Sequence, residues 1–443
     1  MQDNKISGRI WFVFIIFGLI GQMAWTIENM YLNVYIYKTV THDPEAIAIM
    51  VALSAIIATI TTLTMGALSD SLGKRKVFMT VGYMIWGISI VAFGYINKES
   101  VGNIFPNANV VVLTLWIIIA LDCLMTFLGS TANDSAFQSW VTDVTTPKNR
   151  AKAEGLIATM PLLGMLVVFG FLDGFTQNSL WKEFFWIVGI IVFVSGILGL
   201  FLIKDNPNLE LKKDKHYFKD LIYGFKPTTI KGNPLLYVVF IAVAILGIAQ
   251  QIFIPYFIIY FEFFIGLTDY ALLLGLVLIL ASVMSIVFGR IIAKKGKKKF
   301  LFIPVALYIV GMFVMYVLGM TIKDNLTLTF ILTVFFGVLM MGSYLVSMVV
   351  LNALGRDLMP KQHVGVFSGI RMVFFVLIPM VIGPFIGSMV IKNSSYTYVD
   401  EFNVIQSTPT PGIFLAGSIF AILAFIPIYF INKNISAHIE EEV

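Results

Sequence analysis

Twelve long apolar runs, separated by short polar segments, make up most of the chain. A helix needs about 20 apolar residues to cross ~30 Å of hydrocarbon, and every run reaches that length. The pattern therefore predicts an all-α membrane protein with twelve transmembrane helices, numbered here as spans 1 to 12. The predicted spans cover residues 10–37, 46–68, 77–96, 109–142, 155–175, 180–203, 234–264, 270–292, 300–320, 326–354, 365–391 and 412–431.

The lengths of the first and fourth runs bear on what these segments are. The first run is too long for a cleaved signal peptide and contains Glu28 and Asn29, so we predict a true span. The fourth exceeds the thickness of the hydrocarbon, so we expect it to tilt, to bend near Gly129 or to project from the membrane.

Composition excludes the water-soluble classes. Of the 443 residues, 58% are hydrophobic and 12% are charged, whereas a soluble domain carries about 25% charged residues. Such a chain cannot cover itself with the polar surface of a soluble enzyme, a disordered chain or a nucleic-acid-binding protein. The single cysteine, Cys123, excludes a disulfide framework and a cysteine-rich metal site.

The basic residues are distributed by membrane side. If both termini are cytoplasmic, 24 of the 30 Lys and Arg residues fall in cytoplasmic loops, 5 fall outside, and Arg371 remains within a span. This distribution follows the positive-inside rule. We therefore expect a multi-pass protein of a cell membrane, with short loops typical of a bacterial inner membrane. The net charge of +5 requires no nucleic acid as a partner.

The same loop motifs occur on both sides of the polar stretch 204–232, which divides the spans six and six. Gly66 and Gly73 precede the basic triplet 74–76, and Gly289 and Gly296 precede the triplet 297–299 with the same spacing. Similar Asp-to-Pro segments follow span 4 (143–147) and span 10 (357–360). Repeated loops indicate a repeated unit, so we predict six-helix bundles at 1–203 and 233–443, joined by a cytoplasmic linker at 204–232.

With these motifs the chain resembles the major facilitator superfamily over essentially its whole length. The resemblance implies that the loops latch and open a cytoplasmic gate; Ser71 and Ala293 depart from the pattern. The implied gating residues are Gly66, Asp70, Gly73, Lys74, Arg75, Asp143 and Arg150. Arg371 is a further gating candidate because of its charge within span 11. The alternative is that the basic triplets only set the topology.

Within that superfamily, the run 21–25 and the pair Asn133-Asp134 resemble the glycoside–pentoside–hexuronide cation symporters and the sucrose-type carriers. The resemblance implies cation coupling through Asp134. However, Ala58 and Thr62 stand where those symporters have paired aspartates, and Leu19 stands where they have a sugar-binding aspartate. The coupling ion is therefore expected to be the proton rather than sodium.

Ionisable side chains in hydrocarbon are costly and usually functional. Glu28 and Asp122 are predicted at one depth, where two carboxylates cannot both ionise cheaply, so one is expected to hold a proton. With Asp134 they are the candidate proton-coupling residues. Arg371 is expected at the depth of Asp134, where the two could form an ion pair that opens during transport. The alternatives are carboxylates bonded separately to neighbouring helices, and an Arg371 that snorkels or pairs with Asp70.

Amide and aromatic side chains line spans 1, 4 and 7. Sugars are held by such hydrogen-bonding groups, with an aromatic ring against the apolar face. The candidate substrate-binding residues are Gln22, Trp25, Asn29, Tyr31, Asn33, Asn133, Gln138, Gln250, Gln251 and Tyr256. Hydrogen bonds between helices would explain the same amides.

The expected function is proton-coupled symport of a sugar or glycoside by a monomer, with no enzymatic activity, no metal and no cofactor beyond the coupling ion. No Walker loop supports ATP-driven transport. A proton-coupled efflux antiporter is an alternative, although span 5 lacks the Gly-Pro-x-x-Gly-Gly pattern and the segment 383–387 carries a related Gly-Pro-x-x-Gly pattern instead. A non-transporting sensor with the carrier fold is the second alternative.

Overall fold

The computed structural model describes residues 6–146, 149–205, 225–322, 325–360, 364–394, 396–399 and 405–440. Within them, twelve helices are long and apolar enough to cross a membrane, as predicted. In chain order they are Gly8–Thr39, Pro44–Ser69, Arg75–Phe93, Val110–Val144, Lys152–Gln177, Trp181–Leu202, Pro234–Ile265, Tyr270–Ile292, Lys297–Thr321, Leu326–Asp357, Gly369–Lys392 and Gly412–Asn434.

Few other elements occur in the described part. Short helices at Lys98–Ile104 and Pro227–Gly232 precede spans 4 and 7. Strands Thr397–Val399 and Ile405–Ser407 pair antiparallel between spans 11 and 12, with Thr397 opposite Ser407. This ribbon is a small departure from a purely α-helical chain, and it lies outside the spans.

The chain divides into two compact units. One comprises Met1–Thr41 and Leu53–Lys215, and the other comprises His42–Ala52 and His216–Val443. The helix of span 2 is continuous from Pro44 to Leu72, so its first turns belong to the second unit and the rest to the first. The predicted linker 204–232 lies largely outside the described residues, which resume at 225.

Within the first unit, span 3 packs closely against span 6 and span 1 against span 5. Gly87 and Gly189 allow the first contact, because a Cβ on Gly87 would come within 2.5 Å of the Gly189 carbonyl oxygen. In the second unit, span 10 packs against spans 8 and 9, and span 11 packs against span 7. Helices without a hydrophobic driving force between them depend on such close packing.

Spans 1, 4, 5, 7 and 11 each contain a π-helical segment, and an ionisable residue lies within each segment or no more than two residues from it. The segments are Ile27–Tyr31, Ser130–Phe137, Val168–Leu172, Tyr260–Ile265 and Val373–Leu377. The ionisable residues are Glu28, Asp134, Asp173, Glu262 and Arg371, in the same order. A π-helical turn widens the helix at a cost and occurs frequently at functional sites.

The repeated loops adopt related structures in the two units. Gly73 and Gly296 both have a positive φ, 61° and 85°, which glycine adopts without steric penalty. After Gly73, Arg75 forms an ion pair with Asp143 at the end of span 4. After Gly296, Lys297 forms an ion pair with Asp357 at the end of span 10.

Candidate functional site

Two buried carboxylates in the first unit are joined through two hydroxyl groups. Thr126 Oγ1 donates to Glu28 Oε1 over 2.8 Å, and Ser54 Oγ donates to Asp122 Oδ2. The two hydroxyl oxygens lie 3.4 Å apart. The four residues therefore form one hydrogen-bonded chain across spans 1, 2 and 4.

This hydrogen-bonded chain of four residues is closed to solvent, and its carboxylates have no basic partner among the described residues. Glu28 is 5% exposed and Asp122 is 1% exposed. Their remaining oxygens, Glu28 Oε2 and Asp122 Oδ1, are buried without a hydrogen-bond partner, and no Lys, Arg or His of the described residues pairs with either. Burying an unpaired carboxylate costs several kcal/mol, which is the physical reason for a carboxyl group to hold a proton.

Asp134 lies on the same span in a more open position. Its side chain is half-buried, accepts from Ser130 Oγ over 3.1 Å and lies beside the Trp25 indole. Asp134 is thus the member of the acidic group with partial access to solvent, whereas Glu28 and Asp122 are enclosed.

Several of the candidate substrate-binding residues donate their side-chain hydrogen bonds to other groups of the protein. Asn29 donates to the Trp25 carbonyl and Asn33 to the Asn29 carbonyl, both within span 1. Asn133 donates to the Tyr83 hydroxyl over 2.6 Å and to the Phe17 carbonyl over 3.3 Å. For these three amides the geometry favours packing between and within helices over substrate contact.

The two candidate tyrosines also have internal partners. The Tyr256 hydroxyl, fully buried, lies 2.8 Å from the Pro384 carbonyl oxygen and 3.0 Å from that of Pro44. Tyr31 donates to Asp173 Oδ1 over 2.8 Å. Both hydroxyls therefore hold neighbouring helices together.

The glutamines remain available to a ligand. Gln22, Gln250 and Gln251 are half-buried, and their side-chain amides make no hydrogen bond to the described residues. Gln138 is exposed. The half-buried Trp25 ring beside Asp134 packs against the fully buried Trp86 ring, with 5.3 Å between the two centroids, so of the two rings only Trp25 can present an aromatic face. Each unit taken by itself thus contains amides suited to a neutral polar molecule.

Sequence reasoning missed a buried carboxylate on span 5. Asp173 is 3% exposed and accepts from Tyr31 and from Gln177 Nε2. The signal was present, because Asp173 lies inside the predicted span 155–175. Its place two residues before the predicted end gave it the pattern of an interfacial residue. Glu262, half-buried at the end of span 7, was missed for the same reason.

The candidate gating residues surround the ion pair of the first unit. Arg75 is buried, donates from Nε to Asp143 Oδ2 over 3.0 Å and also contacts Ser69 Oγ. Asp205 accepts from the backbone N–H groups of Arg75 and Lys76, and so caps span 3. Arg150 donates to Thr145 Oγ1 and to the Thr142 carbonyl at the end of span 4.

The other gating candidates are less constrained. Lys74 is exposed, and a Cβ on Gly66 would lie 3.6 Å from Ser135 Oγ, which is ordinary contact. The side chain of Asp70 lies outside the described part. Arg371 is half-buried over the Phe375 ring, 5.0 Å from its centroid, and its Nε has no hydrogen-bond partner among the described residues.

The described residues contain no group of three or more His, Cys, Asp and Glu side chains that could hold a metal ion. Together, twelve helices long and apolar enough to cross a membrane, two compact units and buried carboxylates are the features of an integral membrane protein.

Comparison with known proteins gives the family. The profile of the Major Facilitator Superfamily matches residues 10–384, and the chain belongs to this superfamily. It is a transporter and not an enzyme.

Individual relatives are distant. Multidrug resistance protein 2 of Bacillus subtilis (strain 168) is 22% identical over 263 residues, which are 56% of this chain and 58% of that protein. The chain thus matches less than two thirds of the length of this relative.

Solved structures share the fold. The nucleoside transporter NupG has a TM-score of 0.70 at 12% identity, over 95% of this chain and 99% of that chain. A D-xylose–proton symporter has a TM-score of 0.66 at 15% identity, over 95% and 96%. A bacterial homologue of the human lysosomal transporter Spinster has a TM-score of 0.66 at 14% identity, over 97% and 98%.

Proposed function

We propose that this protein is a proton-coupled symporter that moves a sugar or glycoside across a cell membrane by alternating access, with both termini in the cytoplasm. The observation that carries the proposal is the buried chain Glu28–Thr126–Ser54–Asp122, which contains two carboxyl groups and no base. The enclosed pair is costly when doubly ionised, so proton binding and release there can drive a change of conformation.

The proton enters and leaves by way of Asp134 in this proposal. Asp134 is half-buried, whereas Glu28 and Asp122 are enclosed, so Asp134 is the carboxylate of the group through which a proton can reach the enclosed pair. Substrate binding beside the Trp25 indole then changes the surroundings of Asp134 and, through it, of Glu28. Coupling follows because both ligands act on one group of carboxylates.

A neutral, hydroxyl-rich substrate is supported by the uncommitted amides. On span 1, the Gln22 amide makes no hydrogen bond to the described residues and the half-buried Trp25 ring offers an aromatic face; on span 7, the amides of Gln250 and Gln251 make none either. Sugars need both kinds of contact. The fold neighbour described as a D-xylose–proton symporter uses the same architecture for such a solute.

A second candidate is proton-coupled efflux. The observation that favours it is the sequence match to Multidrug resistance protein 2 over 56% of the chain. Uptake and efflux share the carboxylates and differ in the direction of proton movement relative to the substrate.

The direction of proton movement separates the two candidates. Purified protein in liposomes that contain a pH-sensitive dye is exposed to a panel of pentoses, hexoses and glycosides without an imposed gradient. Symport predicts that substrate entry acidifies the lumen, and that an imposed inward proton gradient drives accumulation that a protonophore abolishes. Alkalinisation on substrate entry would instead support exchange of protons for substrate. Sugar entry with no proton movement at all would contradict both candidates.

The matched control variant is Asp173→Asn. It removes a buried carboxylate of the same unit that is fully hydrogen-bonded to Tyr31 and Gln177. If proton movement depends on the unpaired group, Glu28→Gln abolishes it while Asp173→Asn retains it. Equal losses in the two variants would assign the effect to general disruption of the bundle.

A further inference from the structure

We infer that Ser54 and Thr126 are proton-relay residues, through which Glu28 and Asp122 hold and exchange one proton. The inference rests on the proposed proton coupling and adds two residues with no ionisable side chain. It comes from the continuity of the hydrogen-bonded chain rather than from the carboxylates alone.

The geometry provides a complete path. Glu28 Oε1 lies 2.8 Å from Thr126 Oγ1, which lies 3.4 Å from Ser54 Oγ, which is bonded to Asp122 Oδ2. Ser54 and Thr126 are 4% and 0% exposed, so bulk water does not replace them. Ser54 has no hydrogen bond to its own helix, unlike Thr59 one turn further on, which donates to the Ala55 carbonyl. Its hydroxyl is therefore committed to the chain.

The hydroxyl groups allow the path to run in both directions, because each carries one donor and accepts as well. With the proton on Asp122, its O–H donates to Ser54, Ser54 donates to Thr126, and Thr126 donates to Glu28. Transfer along the three hydrogen bonds breaks three O–H bonds and forms three. The proton is then on Glu28. Donor and acceptor have changed places in each of the three hydrogen bonds, and the net charge of the four residues is unchanged.

The path also links separate helices. Glu28 lies in the π-helical segment of span 1, Ser54 is on span 2, and Asp122 and Thr126 lie one turn apart on span 4. Ser54 is two residues from the point where span 2 passes from one compact unit to the other. A displacement of span 2 relative to span 4 would break the path at the 3.4 Å contact, which is its longest step.

The titratable groups around the path are few. Span 4 also carries Asp134 and the half-buried thiol of Cys123, which follows Asp122 directly, and Tyr83 on span 3 is hydrogen-bonded to Asn133, the neighbour of Asp134. Tyr31 follows Glu28 on span 1 and is bonded to Asp173 on span 5. None of these groups is a base, so a shared proton is the compensation that the described residues offer to the pair.

Removal of either hydroxyl tests the relay. We expect Ser54→Ala and Thr126→Val to reduce proton-driven accumulation by about tenfold or more, while exchange of labelled for unlabelled substrate stays within about twofold of wild type. Thr126→Ser retains the hydroxyl and is expected to retain accumulation. Thr59→Val and Ser195→Ala are matched controls, because each removes a buried hydroxyl bonded only to its own helix.

An infrared measurement makes the inference independent of transport. The protonated carboxyl band that Glu28→Gln or Asp122→Asn removes should shift in Ser54→Ala and Thr126→Val, because the acid loses its hydroxyl partner, and should not shift in Thr59→Val. A band that neither hydroxyl variant moves would overturn the relay. A band that shifts as expected in a protein without proton-driven uptake would contradict the proposed function and leave the shared proton standing.

Discussion

Arg75 and Asp143 form a largely buried ion pair, with 3.0 Å between Nε and Oδ2 and side-chain exposures of 5% and 12%. The second unit repeats the arrangement with Lys297 and Asp357, whose side chains are 30% and 61% exposed. The same loop thus produces the same contact twice, in two different dielectric environments. Ion pairs differ in energy chiefly by that environment.

The first prediction follows from this difference. Asp143→Asn removes the carboxylate that faces the buried Arg75 guanidinium, and we expect it to destabilise the folded protein by roughly 3 kcal/mol. Asp357→Asn breaks an exposed pair and is expected to cost less than about 1 kcal/mol. Thermal unfolding in detergent, followed by tryptophan fluorescence, measures both. Equal shifts of Tm would show that burial does not decide the strength of these pairs.

The second prediction separates a packing amide from a free one. Asn133 bonds Tyr83 and Phe17 across helices, whereas the Gln22 amide is uncommitted. Asn133→Ala should therefore lower Tm, because it leaves the Tyr83 hydroxyl without one of its partners. Gln22→Ala should leave Tm unchanged and raise KM for the transported substrate.

Gly21→Ala supports the same distinction as a further variant. A Cβ at position 21 would come within 2.2 Å of Asn133 Nδ2 and 2.7 Å of the Tyr83 hydroxyl, so it should disturb this contact and mimic Asn133→Ala. If Asn133→Ala instead raises KM at an unchanged Tm, Asn133 contacts substrate and the packing assignment is wrong.

Some features of this membrane protein can be predicted from its sequence, and others depend on how the helices pack. Hydropathy and loop charge predict the twelve spans, because the bilayer penalises every exposed polar group in the same way. Depth counting places Glu28 and Asp122 at one level, and the structure brings them together. The intermediaries Ser54 and Thr126 were beyond that reasoning, because serine and threonine are common in spans and only helix packing decides which hydroxyls face each other.

The amide side chains show a distinction that the sequence pattern does not predict. Asn29, Asn33 and Asn133 have the same pattern as Gln22 along the chain, yet the first three are hydrogen-bonded within the protein. The short side chains of Asn29 and Asn33 reach the carbonyl four residues earlier in their own helix, whereas the described glutamine Gln22 makes no such bond. Side-chain length was the available signal, and a polarity pattern does not contain it.

The third prediction concerns the separate roles of the carboxylates. Glu28→Gln and Asp134→Asn should each abolish concentrative uptake, because a side chain that cannot ionise cannot exchange a proton with the gradient. Exchange of labelled substrate should survive, since it needs no net proton movement. Wild-type concentrative uptake should fall as the external pH rises, and the exchange that either variant retains should not depend on pH in this way. Accumulation at the wild-type level in both variants would refute their coupling role.

The fourth prediction compares two buried tyrosines of the second unit. The Tyr256 hydroxyl lies within hydrogen-bond distance of the Pro44 and Pro384 carbonyl oxygens, on the segments that begin span 2 and cross span 11. Tyr256→Phe leaves both acceptors without this donor and should destabilise the unit by about 1–2 kcal/mol. The Tyr308 hydroxyl is equally buried and has no partner among the described residues, so Tyr308→Phe should be neutral or stabilising.

The exposed ion pairs of Lys392 give a reference for the size of the Tyr256→Phe effect on stability. Lys392 pairs with Asp43 over 3.1 Å and with Glu45, but all three side chains are more than 40% exposed. Lys392→Met should therefore change Tm by less than Tyr256→Phe, and the difference between wild type and Lys392→Met should vanish at high salt. A larger loss in Lys392→Met than in Tyr256→Phe would mean that the exposed charges, rather than the buried hydroxyl, hold the first turns of span 2 in the second unit.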